Sequence, residues 1–207
     1  MCGIIGYIGQ KQAAPVLLQG LKKLEYRGYD SAGMAIQDGQ TLARIRAVGK
    51  IENLATRMET ATLPGTAGIA HTRWATHGGV TEENAHPHTG CGDDIVIVHN
   101  GIIENYRELK EKLGSDHAYT SETDTEVLAH LIEHHVAALG TAVTCDSLRK
   151  AVEDALAHVR GTYGLVVMHK DLENCMVAAR MGSPLVIGIG EGEHYVASDP
   201  TPLLAYT

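Results

Sequence analysis

The run Ile95-Val96-Ile97-Val98 is apolar at every position, and it limits the architecture more than any other stretch. A strand that alternates can leave one face in water, whereas a strand with no polar face must be covered on both sides. The chain must therefore fold in layers. The cover has to be mostly aliphatic, because the 207 residues contain no Phe and one Trp. The 44% hydrophobic content supplies a sizeable core for one domain or two small ones.

The elements on either side are readable in order. An apolar strand opens the chain at Gly3 to Gly9, and Ala13 to Tyr26 reads as a helix with Leu17, Leu21 and Leu24 on one face and Pro15 in its first turn. Arg27 to Gly33 is rich in Gly and short polar residues and reads as a loop entering a strand at Met34 to Gln37. Asp38-Gly39 signals a hairpin into Leu42 to Val48, followed by a short helix over Ile51 to Glu59. A strand over Gly68 to Trp74 runs into a long polar loop reaching Asp94, a length that is commonly functional. Thr123-Asp124-Thr125-Glu126 carries a capping-box pattern before Leu128, Ile132, Val136 and Leu139. A further helix bears Leu148, Val152, Leu156 and Val159. Strands are expected at Tyr163 to His169, Cys175 to Arg180, Leu185 to Ile189 and Tyr195 to Ser198. Strands, paired helices and strands again indicate an α+β layered domain.

Several function classes lose support. A net charge of −8 argues against nucleic acid as a main partner, since phosphate binding needs clustered Lys and Arg. Cysteines 2, 91, 145 and 175 form no CxxC pair, so the pattern offers neither a disulfide framework nor a Cys-based zinc site. No basic leader precedes an apolar stretch and no 18-residue apolar run occurs, giving the expectation of a cytoplasmic protein without a membrane partner.

Chemistry-bearing residues each allow two readings. Met1-Cys2 is either the start of a buried strand or, once Met1 is removed, a terminal thiol beside its own α-amine. Both groups titrate near neutrality, at about 8.5 and about 7.7 to 8.0, and a nucleophile paired with an N-terminal amine is an established arrangement. Asn100-Gly101 is a hairpin signal, or else a side-chain amide and a glycine N–H converging on an oxyanion. Arg73 is a solvated cation or a bidentate carboxylate holder. Asp124 complements a helix dipole or holds an ammonium. His71, His77, His86, His88 and His99 invite a metal reading, but no HExxH occurs and hydrogen-bonding roles suit their spacing better.

The motifs CGIIG (Cys2 to Gly6), RGYDSAG (Arg27 to Gly33), HTRWATHG (His71 to Gly78), NAHPH (Asn84 to His88), HNGIIEN (His99 to Asn105) and SETDTEV (Ser121 to Val127) occur in that order. Together they resemble the glutaminase domain of glutamine–fructose-6-phosphate aminotransferases, within the class II, N-terminal-nucleophile glutamine amidotransferases. The resemblance extends through Gly182-Ser183-Pro184-Leu185 and Ala197-Ser198-Asp199. It implies a four-layer αββα sandwich of two antiparallel sheets over residues 1–207. It implies Cys2 as nucleophile, Asn100 and Gly101 as the oxyanion hole, and Arg73 and Asp124 as holders of the glutamine carboxylate and amino groups. Trp74, Thr76 and His77 would lie on the loop over glutamine, with Arg27 and His86 in support and no cofactor or metal. The other cysteines take no role and are expected as ordinary thiols.

Full enzymes of this kind continue into sugar-phosphate isomerase domains that receive ammonia and aminate fructose 6-phosphate, and the resemblance implies a homo-oligomeric parent. Such domains have no counterpart here, so glutaminase chemistry is the expectation, with the chain as a truncated piece. The alternatives are the glutaminase domain of another class II enzyme, such as an amidophosphoribosyltransferase, or a non-catalytic glutamine-binding module that keeps Met1.

Overall fold

The computed structural model describes residues 2–39, 41–140, 142–204 and 206. Two antiparallel sheets stack face to face. The six-stranded sheet runs β3-β2-β4-β1-β10-β9, built from β1 (Gly3–Ile8), β2 (Ser31–Asp38), β3 (Thr41–Val48), β4 (Ala67–Arg73), β9 (Val186–Gly190) and β10 (Glu193–Ala197). The four-stranded sheet runs β5-β6-β7-β8, from β5 (His88–Thr89), β6 (Ile95–Ile103), β7 (Gly161–His169) and β8 (Val177–Met181). Helices α1 (Ala13–Leu24) and α2 (Ile51–Thr60) cover the first sheet; α3 (Tyr106–Leu113), α4 (Asp124–Ala138) and α5 (Cys145–Leu156) cover the second.

Strand β6 shows why the layering is obligatory. Ile95 and Ile97 pack with Leu128, Ile132 and Leu148 in the core under the helices, while Val96 and Val98 face the other sheet among Ile4, Ile69 and Val166. Its partner repeats the alternation: Leu165 and Val167 go to the helices, Val166 and Met168 to the inter-sheet core. Side chains of period two thus build two cores from one strand pair. Burying each of these side chains fully contributes roughly 1.5–3 kcal/mol. A third core under α1 and α2 gathers Ile5, Leu17, Leu21, Leu24 and Met34.

The differences from the sequence expectations are local. Strand β2 begins at Ser31, three residues earlier than the loop reading allowed, because Ser31, Ala32 and Gly33 pair with Arg73, Thr72 and His71. Asn100-Gly101 is not a hairpin turn. Both residues lie inside β6, opposite Gly164 and Tyr163, and the strand continues to Ile103. Helix α3 and the two-residue β5 had no forecast. The capping box at Thr123 is half made: Thr123 Oγ1 accepts from the Glu126 N–H at 3.2 Å, but the Glu126 carboxylate accepts from the backbone N–H groups of Thr120 and Ser121 instead. The complete box is at Thr144 and Ser147, opening α5. Cys145 and Cys175 are not ordinary thiols; they are joined as a disulfide, with Cα atoms 6.1 Å apart. No spacing rule reveals a pair 30 residues apart.

The two edges of the large sheet differ. On β3, Arg44 and Arg46 donate to carbonyls of Pro87, Glu83 and Ala85, tying the polar loop over that side. On β9, Ile187 and Ile189 are 71% and 72% exposed. Among the described residues, no helix is long and apolar enough to cross a membrane.

Candidate active site

Cys2 is placed by the first strand. The Gly3 N–H donates to Thr72 Oγ1 at 3.1 Å and the Ile4 N–H to Ser198 Oγ at 2.9 Å. The Cys2 carbonyl is held twice, by Arg27 Nε at 3.1 Å and Asn100 Nδ2 at 2.9 Å. Arg27 is itself fixed by Asp199 at 3.3 Å. The thiol receives the backbone N–H of Trp74 at 3.1 Å. Burial pushes the thiol pKa up from its usual value, with the Trp74 N–H and the Arg73 charge pulling the other way. At neutral pH the group is therefore the protonated thiol.

Cys2 shares one cleft with Arg73, Trp74, Thr76, His77, His86 and Asp124, all of which the motifs single out, and with His99 and Thr123, to which they assign no role. Arg73 is buried; its guanidinium donates to the His77 and Gly79 carbonyls and so fixes the segment following β4. Asp124 opens α4, and its Oδ2 accepts from the Ile103 N–H at 2.8 Å, leaving Oδ1 as an acceptor. Trp74 is half exposed and meets Tyr29 edge-on; Thr76 is exposed. Asn100 and Gly101 sit beside the cleft on β6, through the Asn100 contact with Cys2. Gly101 has φ +140°, and a Cβ there would lie 2.0 Å from the Thr162 carbonyl oxygen, so only glycine fits.

The histidines form a hydrogen-bonded layer whose protons can be assigned. His71 Nε2 faces two acceptors, the His99 carbonyl at 3.1 Å and Asn100 Oδ1 at 3.0 Å, so it carries the proton. That assigns the Asn100 amide: its oxygen faces His71 and its NH₂ faces Cys2. His99 Nε2 faces the Thr162 carbonyl at 3.4 Å, so its Nδ1 accepts from Thr125 Oγ1 at 2.9 Å. The same hydroxyl then accepts from His86 Nε2 at 3.1 Å. His71 and His86 stack with centroids 4.0 Å apart. Burial lowers all of these pKa values, His71 to about 3, and those of His86, His88 and His99 below 6.5. The layer is neutral, and it sets an amide direction. His71, Thr125 and Ser198 are contributors that motif reading left without a role; only their presence within or beside the motifs marks them.

Residues 71–205 match the family described as the glutamine amidotransferase domain. The chain belongs to that family. This amidotransferase domain is 51% identical over 213 residues to the isomerizing glutamine–fructose-6-phosphate aminotransferase of Chlorobaculum tepidum, an alignment taking in 100% of this chain and 34% of the relative. Against a Thermus thermophilus protein of the same name it is 51% identical over 208 residues, covering 100% and 33%. The chain thus spans about a third of the length of these curated relatives. Among solved structures, the glutamine phosphoribosylpyrophosphate amidotransferase of B. subtilis superposes with a TM-score of 0.80 at 28% identity, over 98% of this chain and 43% of that one. The αββα sandwich of an N-terminal-nucleophile amidotransferase is therefore the fold of this domain.

Proposed function

We propose that this amidotransferase domain hydrolyses glutamine to glutamate and ammonia, with Cys2 as the N-terminal nucleophile once Met1 has been removed. Met1 lies outside the described residues. The observation that carries the reading is convergence: the thiol, a buried cation, a buried carboxylate and an amide NH₂ of fixed direction come from four separate segments to one place.

In this reading the glutamine carboxylate pairs with Arg73 and its ammonium with Asp124 Oδ1, which leaves the side-chain amide at Cys2. Sulfur attacks the amide carbon while the thiol proton passes to the α-amine. One Asn100 Nδ2–H stays on the Cys2 carbonyl; the other, with the Gly101 N–H, meets the tetrahedral oxyanion. Each such donor is worth about 2.7–4 kcal/mol in the transition state. The α-ammonium then protonates the departing ammonia, and water cleaves the thioester to glutamate. Trp74, Thr76 and His77 cover the substrate, while Arg27 and His86 hold the surroundings in place.

Residues 1–207 act as one glutaminase domain in this reading. In a longer, homo-oligomeric cytoplasmic parent the ammonia would aminate fructose 6-phosphate, a proposal supported by the names of the 51%-identical relatives. The likeness to a phosphoribosylpyrophosphate amidotransferase favours a second acceptor, at the lower identity of 28%. The test is glutamate release from glutamine by the protein with Met1 verified absent by intact mass, set against Cys2→Ala. Release is expected only with Cys2; equal rates would sink the assignment.

A further inference from the structure

Away from the cleft, four side chains that this glutaminase chemistry does not use converge on one point. Cys91 Sγ lies 3.5 Å from His130 Nδ1 and 3.9 Å from His117 Nδ1. The two Nδ1 atoms are 3.1 Å apart, and Glu133 Oε2 is 3.6 Å from His130 Nδ1 and 3.9 Å from His117 Nδ1. All four donor atoms fall within 4.8 Å of one another. We propose that Cys91, His117, His130 and Glu133 form a tetrahedral transition-metal site of the zinc class.

Bond lengths make the case. Zinc binds thiolate at about 2.3 Å and imidazole or carboxylate at about 2.0–2.2 Å. At tetrahedral angles the donor atoms must then stand roughly 3.3–3.6 Å apart, and the five measured separations run from 3.1 to 3.9 Å. A hydrogen bond between the two imidazoles accounts for one of those separations; the other four bring a thiol and a carboxylate against the same two nitrogens.

The carboxylate is also held from behind. The Cys91 N–H donates to Glu133 Oε2 at 2.9 Å and the Gly92 N–H to Oε1 at 2.8 Å. A Cβ at Gly90 would sit 2.4 Å from the Glu133 carboxyl carbon, so the turn is shaped around this group. Such outer contacts are what orient a metal ligand. The donor set of one thiolate, two imidazoles and one carboxylate suits zinc or cobalt, and its two negative charges balance a divalent ion; calcium and magnesium favour all-oxygen sites. Cys91 is exposed, which gives an entry path. On binding, the Cys91 thiol loses its proton to solvent.

The site would staple three segments: the turn after β5, the connection before α4, and α4 itself. His130 is six residues along α4 from Asp124, about 9 Å at 1.5 Å per residue. The ion would thus anchor the helix that carries a proposed substrate contact, without itself reaching the cleft.

The test uses the whole chain, stripped with a chelator and titrated with Co²⁺ alone, then Zn²⁺. One equivalent of cobalt is expected to give the intense visible bands of four-coordinate Co²⁺ and a thiolate charge-transfer band, both abolished by zinc. Cys91→Ser should lose the charge-transfer band and bind zinc at least about 100-fold more weakly, at or beyond the upper end for outer contacts. Cys2→Ser should keep both properties. His117→Gln, in a connecting segment, gives a second variant whose fold is checked by circular dichroism. Weak six-coordinate bands, a band that survives Cys91→Ser, or one that disappears with Cys2→Ser would each overturn the proposal. The readout is independent of glutaminase turnover.

Discussion

Replacing Asn100 by Asp isolates the amide that the histidine layer aims. The change keeps the shape and keeps an oxygen for His71 Nε2–H to meet at 3.0 Å. It removes the NH₂ and sets a second oxygen against the Cys2 carbonyl, where the Asn100 nitrogen now donates at 2.9 Å. One oxyanion donor is lost, about 2.7–4 kcal/mol, or roughly 10²–10³ in rate. Asn100 is buried, so an unmade contact also costs about 1–3 kcal/mol of stability. At about 2–4 °C per kcal/mol for a chain of this size, Tm should drop by about 2–12 °C, leaving the variant folded at 25 °C. The assay is steady-state glutamate release with Met1 removed. kcat and kcat/KM should fall together by about 10²–10³ with KM little changed, the signature of a contact made only in the transition state. Activity within threefold of the parent, or a rise in KM at constant kcat, would refute the oxyanion assignment.

Two further outcomes follow from the same region. Gly101→Ala should be destabilised by more than about 2 kcal/mol in a denaturant titration, because a Cβ at φ +140° meets the Thr162 oxygen at 2.0 Å; an unchanged midpoint would contradict this. Stability should also fall as pH drops from 6.5 towards 3. The folded pKa of His71 is lowered to about 3 by burial, so the unfolded chain takes up its proton first. His86, His88 and His99 are shifted the same way, and each titrating histidine adds up to about 1.4 kcal/mol per pH unit. A flat profile between pH 6.5 and 4 would refute the neutral-layer assignment.

What the sequence disclosed was whatever rests on local period. The unbroken Ile95–Val98 run foretold a strand between two layers, and β6 divides its side chains between two cores accordingly. The leucine spacing of α1 and the Leu128, Ile132, Val136 spacing of α4 were equally plain. Readings failed where a remote partner decides. Ser31-Ala32-Gly33 scores as loop until β4 pairs with it. Asn100-Gly101 is a turn dipeptide that pairing with β7 keeps extended. The proposed site residues stood out through their ordered motifs, but the amide direction depends on His71 and was invisible. The Cys91 quartet escaped for the same reason: His130 and Glu133 are adjacent on a helix face, while Cys91 and His117 reach them only through the fold.

The unlike edges of the large sheet have a consequence for how this domain behaves in company. The β3 side is guarded, since its arginines hold a loop across it. The β9 side carries no charged residue, and its isoleucines stand in water. An outer strand with free backbone groups and an apolar face accepts another strand readily. The sheet therefore ends in two chemistries, a cationic strand bound to its own loop and an aliphatic strand facing water.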